Sequence, residues 1–177
     1  MKNSVKNSEN ITFKQAIDLT QNLLLEIDAG TLSEAEIREK ISELVKTQDG
    51  ARGFFVTYLT ADNLLADSPT DSIIEGLRSH PEYVSELLVK NVAMSAAQAV
   101  YHRRNNSEAQ GSQQVQQRTI QLIKLVNLPA VYEYSRQLLA SAATGEGNYQ
   151  DFLNRWGYDT EQRQVICEAL QQVLTKA

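Results

Sequence analysis

Four polar side chains have the types and spacing that come closest to a chemical site in this sequence. Asn91, Ser95, Gln98 and His102 follow one another at intervals of four, three and four residues. On an α-helix this spacing places them within a sector of about 60°, and we call them the polar stripe. His102 is suited to general acid–base catalysis. However, no acidic residue lies one turn from it, and Ser95 is about two turns away, too far for a Ser–His hydrogen bond. The sequence therefore assigns no catalytic residue.

The polar stripe has three interpretations, which the sequence leaves open. In the first interpretation, the stripe is the solvent-facing strip of its helix, because polar side chains generally contact water. Alternatively, it is a buried network that hydrogen-bonds to the glutamine-rich segment Gln110–Gln121, since buried polar groups need partners. In the third interpretation it lines a ligand pocket or an active site.

A glycine-rich stretch is the second candidate site. Gly50, Arg52 and Gly53 precede an apolar segment. Backbone N–H groups in a glycine-rich turn, together with an arginine, bind anions in many proteins. The stretch matches no phosphate-binding fingerprint, so a plain turn before a helix is the competing interpretation.

The metal-ligating residue types are sparse. His80 and His102 do not occur in a Glu-x-x-His or His-x-x-x-His pattern, and Cys167 is the only cysteine. An intramolecular disulfide and a cysteine-based zinc site are therefore excluded. We expect no metal and no cofactor, and a lone cysteine favours the reducing cytoplasm.

The charge is acidic and unevenly distributed. Residues 1–80 contain eight Lys/Arg against thirteen Asp/Glu, whereas residues 81–177 contain nine of each. An acidic half repels phosphate, and no basic stripe with interleaved aromatics occurs, so nucleic-acid binding is disfavoured. The sequence contains no run of about 18 apolar residues, the length that predicts a membrane-spanning helix. We therefore expect no membrane partner.

Hydrophobic periodicity predicts an all-α protein of about seven helices, with a flexible tail over 1–11 and one domain over 12–177. Thr12 with Gln15 and Ser33 with Glu36 have the spacing of capping boxes. Ser68 before Pro69 resembles an N-cap followed by proline at the first helical position. Residues 54–60 have strand-like composition, but no second strand is available to pair with them, so we predict a helix.

The segment from Pro81 to Arg104 predicts the longest and most central helix. From Asn91 to Tyr101 it contains no charged residue, and apolar side chains fall on nearly every side of it. A helix that is apolar on most sides is normally enclosed by others, and its alanines permit close packing.

Two segments also resemble known proteins. Gly50-Ala51-Arg52-Gly53-Phe54-Phe55-Val56-Thr57-Tyr58 and Leu87-Leu88-Val89-Lys90-Asn91-Val92-Ala93-Met94-Ser95 resemble a group of uncharacterised cyanobacterial helical proteins. The resemblance implies a bacterial cytosolic setting, and it transfers no functional residues.

Two functional hypotheses follow from these observations. The sequence contains no catalytic constellation, and apolar residues such as Leu19 and Leu25 lie off the main apolar face of their helix. The first hypothesis is therefore a non-enzymatic interaction module that self-associates, most simply as a dimer. The alternative is a small-molecule-binding protein or an enzyme that uses the polar stripe. An enclosed pocket around the stripe favours the alternative, and an exposed apolar patch favours the module.

Overall fold

A computed structural model describes residues 10–175 of the chain, and these residues form ten helices and no strand. The all-α prediction is confirmed, with more helices than the seven expected. The helices are α1 (Phe13–Asp28), α2 (Glu34–Val45), α3 (Gln48–Thr60), α4 (Leu64–Asp67), α5 (Asp71–Arg78), α6 (Pro81–Arg104), α7 (Gln110–Val126), α8 (Pro129–Thr144), α9 (Gln150–Trp156) and α10 (Thr160–Leu174). Residues 1–9 of the expected tail lie outside the described residues, whereas Ile11 packs against the core.

The two predicted capping boxes are confirmed. The Thr12 hydroxyl accepts from the Gln15 backbone N–H at 3.1 Å, and the Gln15 side chain accepts from the Thr12 N–H at 2.9 Å. Ser33 and Glu36 exchange the same pair of bonds at the start of α2. Both signals are local, so spacing alone predicted them.

The predicted cap at Ser68 is wrong. A short helix, α4, precedes this position, and the Ser68 N–H closes it by donating to the Leu64 carbonyl at 2.8 Å. The next helix begins three residues later, at Asp71, with Thr70 as its N-cap and without a side-chain capping bond. Pro69 therefore lies before the cap rather than inside the helix.

The segment with strand-like composition is helical. Residues 54–60 belong to α3, whose Phe54, Phe55 and Tyr58 are buried in the core. Gly53 allows α3 to lie directly against α1, because a Cβ at this position would be 2.4 Å from the Ala16 Cβ. The aromatic residues thus serve helix packing, which overrides their preference for strands.

The long helix α6 is the central element, as predicted. It has the predicted bounds, and it packs against α3, α5, α7, α8 and α10. Val92, Ala93, Ala97 and Val100 are at most 1 % exposed. All the buried apolar residues of the described chain except Val100 belong to one cluster, to which α6 contributes seven residues.

Two arginines complete the ends of helices other than their own. Arg118 of α7 donates to the Leu59 and Ala61 carbonyls at 3.0 and 2.8 Å, at the end of α3. Arg78 of α5 donates to the Leu125 and Val126 carbonyls, both at 2.9 Å, at the end of α7. The last carbonyls of a helix lack partners within it, so these contacts bind the three helices to one another.

Candidate functional site: the groove along α6

The polar stripe lies in an open groove between α6 and α7. All four stripe residues line a depression of about 420 Å³, together with Thr60 of α3 and residues from the start of α7. Ser95 is buried, Asn91 and His102 are half-buried, and Gln98 is exposed. The stripe is thus partly open to solvent and partly the wall of a concave site.

The hydrogen bonds of the stripe are local and contain no Ser–His pair. The Ser95 hydroxyl donates to the Asn91 carbonyl at 2.7 Å, which is a common way for a helical serine to satisfy its hydroxyl. None of the hydrogen bonds formed by the four side chains reaches the glutamines of α7. Within residues 10–175, the second interpretation, an internal network with Gln110–Gln121, therefore finds no hydrogen bond to support it.

His102 is held between two neutral polar groups. Its Nε2 lies 3.3 Å from the Gln98 Nε2, and its Nδ1 lies 3.0 Å from the Ser107 hydroxyl. The Ser107 hydroxyl in turn lies 3.1 Å from the His102 carbonyl, to which it donates. A neutral ring that carries its proton on Nδ1 satisfies all three contacts, because it donates to Ser107 and accepts from the Gln98 amide. Both ring nitrogens of His102 are thus engaged by neighbouring side chains, and the ring lacks the acidic partner of a catalytic base.

No Lys, Arg, Asp or Glu lines this half of the groove, where polar groups stand among apolar surface. Its walls carry amides from Asn91, Gln98 and Gln114, and hydroxyls from Ser95 and Ser112. Amides offer both donors and acceptors, so they match a ligand that does the same.

The groove continues into a second half along the same helix. Thr60, Asn91, Met94 and Val115 line both halves, and the second half has a volume of about 470 Å³. It adds residues of α1, α3 and α9 to the walls. We call the two halves together the α6 groove, with an amide half and a basic half.

Three cations line the basic half, which is unusual in a chain with a net charge of −5. Arg52, Lys90 and Arg155 lie there with Asp49 as the acidic residue of the lining. Arg52 approaches Asp49 at 3.4 Å, and Lys90 approaches Glu86 at 2.8 Å. Arg155 forms no ion pair with any described residue, so the basic half is locally positive.

Aromatic rings accompany these cations. The Arg52 guanidinium lies 5.0 Å from the centroid of the Phe13 ring, and the Lys90 ammonium lies 5.5 Å from that of Phe152. Cations over ring faces at such distances are attracted to them. Trp156, the single tryptophan of the chain, also lines this half and is 54 % exposed.

The expected anion-binding turn is part of a helix. Gly50, Arg52 and Gly53 all lie within α3, which begins at Gln48, earlier than the sequence indicated. Both glycines are packing positions, since a Cβ on Gly50 would lie 2.1 Å from the Leu44 carbonyl oxygen. The Gly50 N–H donates to the Thr47 hydroxyl at 3.1 Å. Arg52 alone points to the groove, so it belongs to the same site as the polar stripe.

One buried arginine supports the wall of the groove and was missed by the sequence analysis. Arg118, which is 4 % exposed, binds the end of α3 next to Thr60 and also pairs with Asp67. That hydrogen bond from Arg118 lowers the pKa of the Asp67 carboxyl below its ordinary value. An arginine within an apolar helix face was the available signal, because buried arginines require partners.

Other chemistry is not assembled in the described part of the chain. No group of three or more His, Cys, Asp or Glu side chains is placed there to hold a metal ion. Cys167 is half-buried on α10, and burial raises the pKa of its thiol. Within residues 10–175, no helix combines the length and the apolar character needed to cross a membrane.

Comparison with known proteins gives one match. Residues 12–173 match the model of a family described as "Uncharacterised conserved protein UCP020893". The chain belongs to this family. No curated protein and no solved structure matches it. The match spans all ten helices except the last residue of α10, so the α6 groove lies inside the part that defines the family.

Proposed function

We propose that this chain is a non-enzymatic helical interaction module that self-associates through the outer face of α1 and α3. The observation that carries the proposal is an exposed apolar surface. Leu25 of α1 is 68 % exposed and Val56 of α3 is 45 % exposed. Both line one open depression, together with Ile17 and Leu24. Such contiguous apolar surface is typical of protein interfaces.

Charge supports a second copy of the chain as the partner on this face. A two-fold dimer places each patch against its own copy, so a patch with net charge repels itself. The depression between α1 and α2 is lined by Glu26, Glu36, Glu39 and Glu43 against Lys40, and the basic half of the α6 groove has the opposite excess. The α1–α3 depression has fewer charged residues than either of these surfaces, with Asp28 and Asp62 in its lining, and a dimer on this face must keep these carboxylates apart.

Sedimentation equilibrium of the wild type and of Leu25→Asp tests this proposal. We expect a dimer for the wild type at micromolar concentrations. In the dimer, Leu25→Asp would bury one carboxylate from each protomer in the interface. Leu25→Asp should therefore be monomeric, with an unchanged circular dichroism spectrum.

A leucine outside the face provides the matched control. Leu125 of α7 is 41 % exposed and does not line the depression, so Leu125→Asp should remain a dimer. A wild-type monomer over the whole concentration range contradicts self-association. A dimer that persists in Leu25→Asp contradicts the α1–α3 face.

Ligand binding by the polar stripe is the second candidate function. It is favoured because all four stripe residues line the same concave surface. Native mass spectrometry of protein purified from its own cells tests it. A co-purified small molecule that is absent from Gln98→Ala supports a small-molecule site, and an unliganded mass for both proteins argues against one. An enzymatic version has less support, because His102 contacts neutral groups rather than a carboxylate.

We further propose the bacterial cytoplasm as the setting. The lone Cys167 and the resemblance of the sequence to cyanobacterial proteins support this location.

A further inference from the structure

We infer that the α6 groove binds an acidic peptide segment of a partner protein. The segment places carboxylates in the basic half and runs its backbone along the amide half. This inference rests on the proposed role as an interaction module, but it does not depend on self-association. Its basis is the way one continuous groove divides into two chemically different halves.

Charge complementarity determines the sign of the ligand. Arg52 and Arg155 are solvent-exposed on either side of the basic half, and Asp49 is the acidic residue of its lining. An arginine presents a planar fork of donors that fits a carboxylate. The whole chain carries a net charge of −5, but at physiological salt charges more than about 8 Å away are largely screened, so the nearby cations determine which ligand charge the groove accepts.

The aromatic residues indicate that the ligand also has apolar parts. Phe13 and Trp156 are 37 % and 54 % exposed at this half of the groove. Exposed rings of this size are enriched where proteins bind partners, because they bury much apolar area with few rotatable bonds. A peptide with apolar residues between its acidic ones satisfies both the rings and the cations.

The amide half matches a peptide backbone. A backbone presents alternating N–H donors and C=O acceptors, and Asn91, Gln98 and Gln114 each present both kinds of group. Because no charged residue lines this half, it offers no subsite for a second carboxylate. The acidic residues of the ligand are therefore expected at one end of the segment.

The dimensions suit a peptide better than a small molecule. From Lys90 to His102, α6 rises roughly 18 Å, which is the length of about five residues in extended conformation. The groove is open along this length, whereas small-molecule sites generally enclose their ligand. An extended segment of a partner fits these proportions.

Trp156 provides a direct assay because it is the single tryptophan and lies in the groove. The probe is a blocked ten-residue peptide of four glutamates, two leucines and four serines, with the glutamates at one end. Its control has glutamine in place of each glutamate. We expect the acidic peptide to bind with a blue shift of the Trp156 emission, to weaken as salt is added, and to bind about tenfold more tightly than the control.

Groove variants locate the binding. The double variant Arg52→Gln with Arg155→Gln should weaken binding about tenfold, whereas Arg136→Gln, at an exposed arginine of α8, should not. The double variant Arg52→Lys with Arg155→Lys retains the charge and should retain most of the binding, which separates charge from folding. Gln98→Ala should weaken binding, and Gln113→Ala, at an exposed glutamine that does not line the groove, should not.

Any one of the following results overturns the inference. They are no binding of the acidic peptide by fluorescence or calorimetry, equal binding of the glutamine peptide, and unchanged binding in the double variant Arg52→Gln with Arg155→Gln. Equal binding of a ten-nucleotide oligothymidylate also overturns it, because the groove then recognises polyanions with stacking rings rather than peptides. Dimerisation is measured separately. Because Val56 and Thr60 line both the α1–α3 depression and the groove, peptide binding is measured on Leu25→Asp as well as on the wild type. Absence of peptide binding to both proteins refutes the groove alone, and a wild-type monomer that binds the peptide refutes self-association alone.

Discussion

Arg118 of α7 donates from its Nε to the Asp67 Oδ1 at 2.8 Å, and this pair joins two helices that are distant in the sequence. The guanidinium is 4 % exposed, while the Asp67 side chain is 49 % exposed. The same guanidinium also supplies the donors that complete the end of α3. The contact therefore holds together α3, α4 and α7 beside the α6 groove.

Arg118→Met should lower the free energy of unfolding by about 2 kcal/mol, because the Leu59 and Ala61 carbonyls lose their donors. Chemical denaturation measures the change. Arg136→Met is the matched control, since Arg136 is 63 % exposed in a surface pair with Glu133 and such pairs contribute little. Equal effects of the two substitutions would show that Arg118 has no structural role.

Two glycines should respond oppositely to the same substitution. In Gly53→Ala the new Cβ would lie 2.4 Å from the Ala16 Cβ and 2.7 Å from the Phe13 carbonyl oxygen, so α1 must move away from α3. We expect a loss of about 1–3 kcal/mol. At Gly111 of α7 a Cβ meets nothing within 4 Å, and Gly111→Ala should stabilise by about 0.5–1 kcal/mol. Thermal denaturation of both variants measures this, and a stabilised Gly53→Ala would contradict the close packing of α1 and α3.

Ala96→Leu should destabilise the central helix. Ala96 is 4 % exposed on α6, so additional methylenes overpack the core and cost about 1–3 kcal/mol. Ala35→Leu, at an exposed position of α2, should be nearly neutral because leucine is a good helix former. If denaturant midpoints of the two variants coincide, the burial of α6 is refuted.

Acid titration should reveal the pair that joins α6 to α10. The Arg104 guanidinium and the Gln162 N–H donate to Asp159 and lower the pKa of its carboxyl from 3.8 to about 2. A lowered pKa in the folded state stabilises the protein above the unfolded pKa. That contribution is complete above about pH 4 and is lost as the pH falls from 3.8 toward 2.

Asp159→Asn should therefore lower the free energy of unfolding at neutral pH, and its difference from the wild type should shrink toward pH 2. Urea denaturation across this range measures the difference. In the Arg104→Gln background the same substitution should have a smaller effect, because the partner is already absent. A difference that is constant with pH would contradict the role of this carboxylate.

The parts of the fold that sequence predicted are those with local causes. The boundaries of α6 follow from Pro81 at its start and the Asn105–Asn106 pair after its end, and its burial follows from the absence of charge. The capping boxes at Thr12 and Ser33 depend on side chains three residues apart. The prediction of a cap at Ser68 was wrong because the four residues before it form a short helix of their own. A helix of one turn is too short to show a periodic pattern in the sequence.

The site was predicted only in part, because it depends on tertiary packing. The polar stripe lies on one helix, so its helical spacing brought its members together in the sequence analysis. Arg52 was singled out for a different reason, and its place beside the stripe depends on how α3 packs. Arg155 and Trp156 were not identified as candidate site residues. They lie on a seven-residue helix, which is too short for its hydrophobic periodicity to show which part of the protein it packs against.

The contact between α6 and α10 also has a consequence for the order in which the chain folds during synthesis. The Gln162 side chain of α10 donates to the Ala97 carbonyl at 3.4 Å, and the two helices pack against each other. One side of this central helix thus stays bare until α10 has left the ribosome. A nascent chain that stalls after α9 displays this surface, so it becomes a substrate for chaperones, whereas the emergence of α10 covers it.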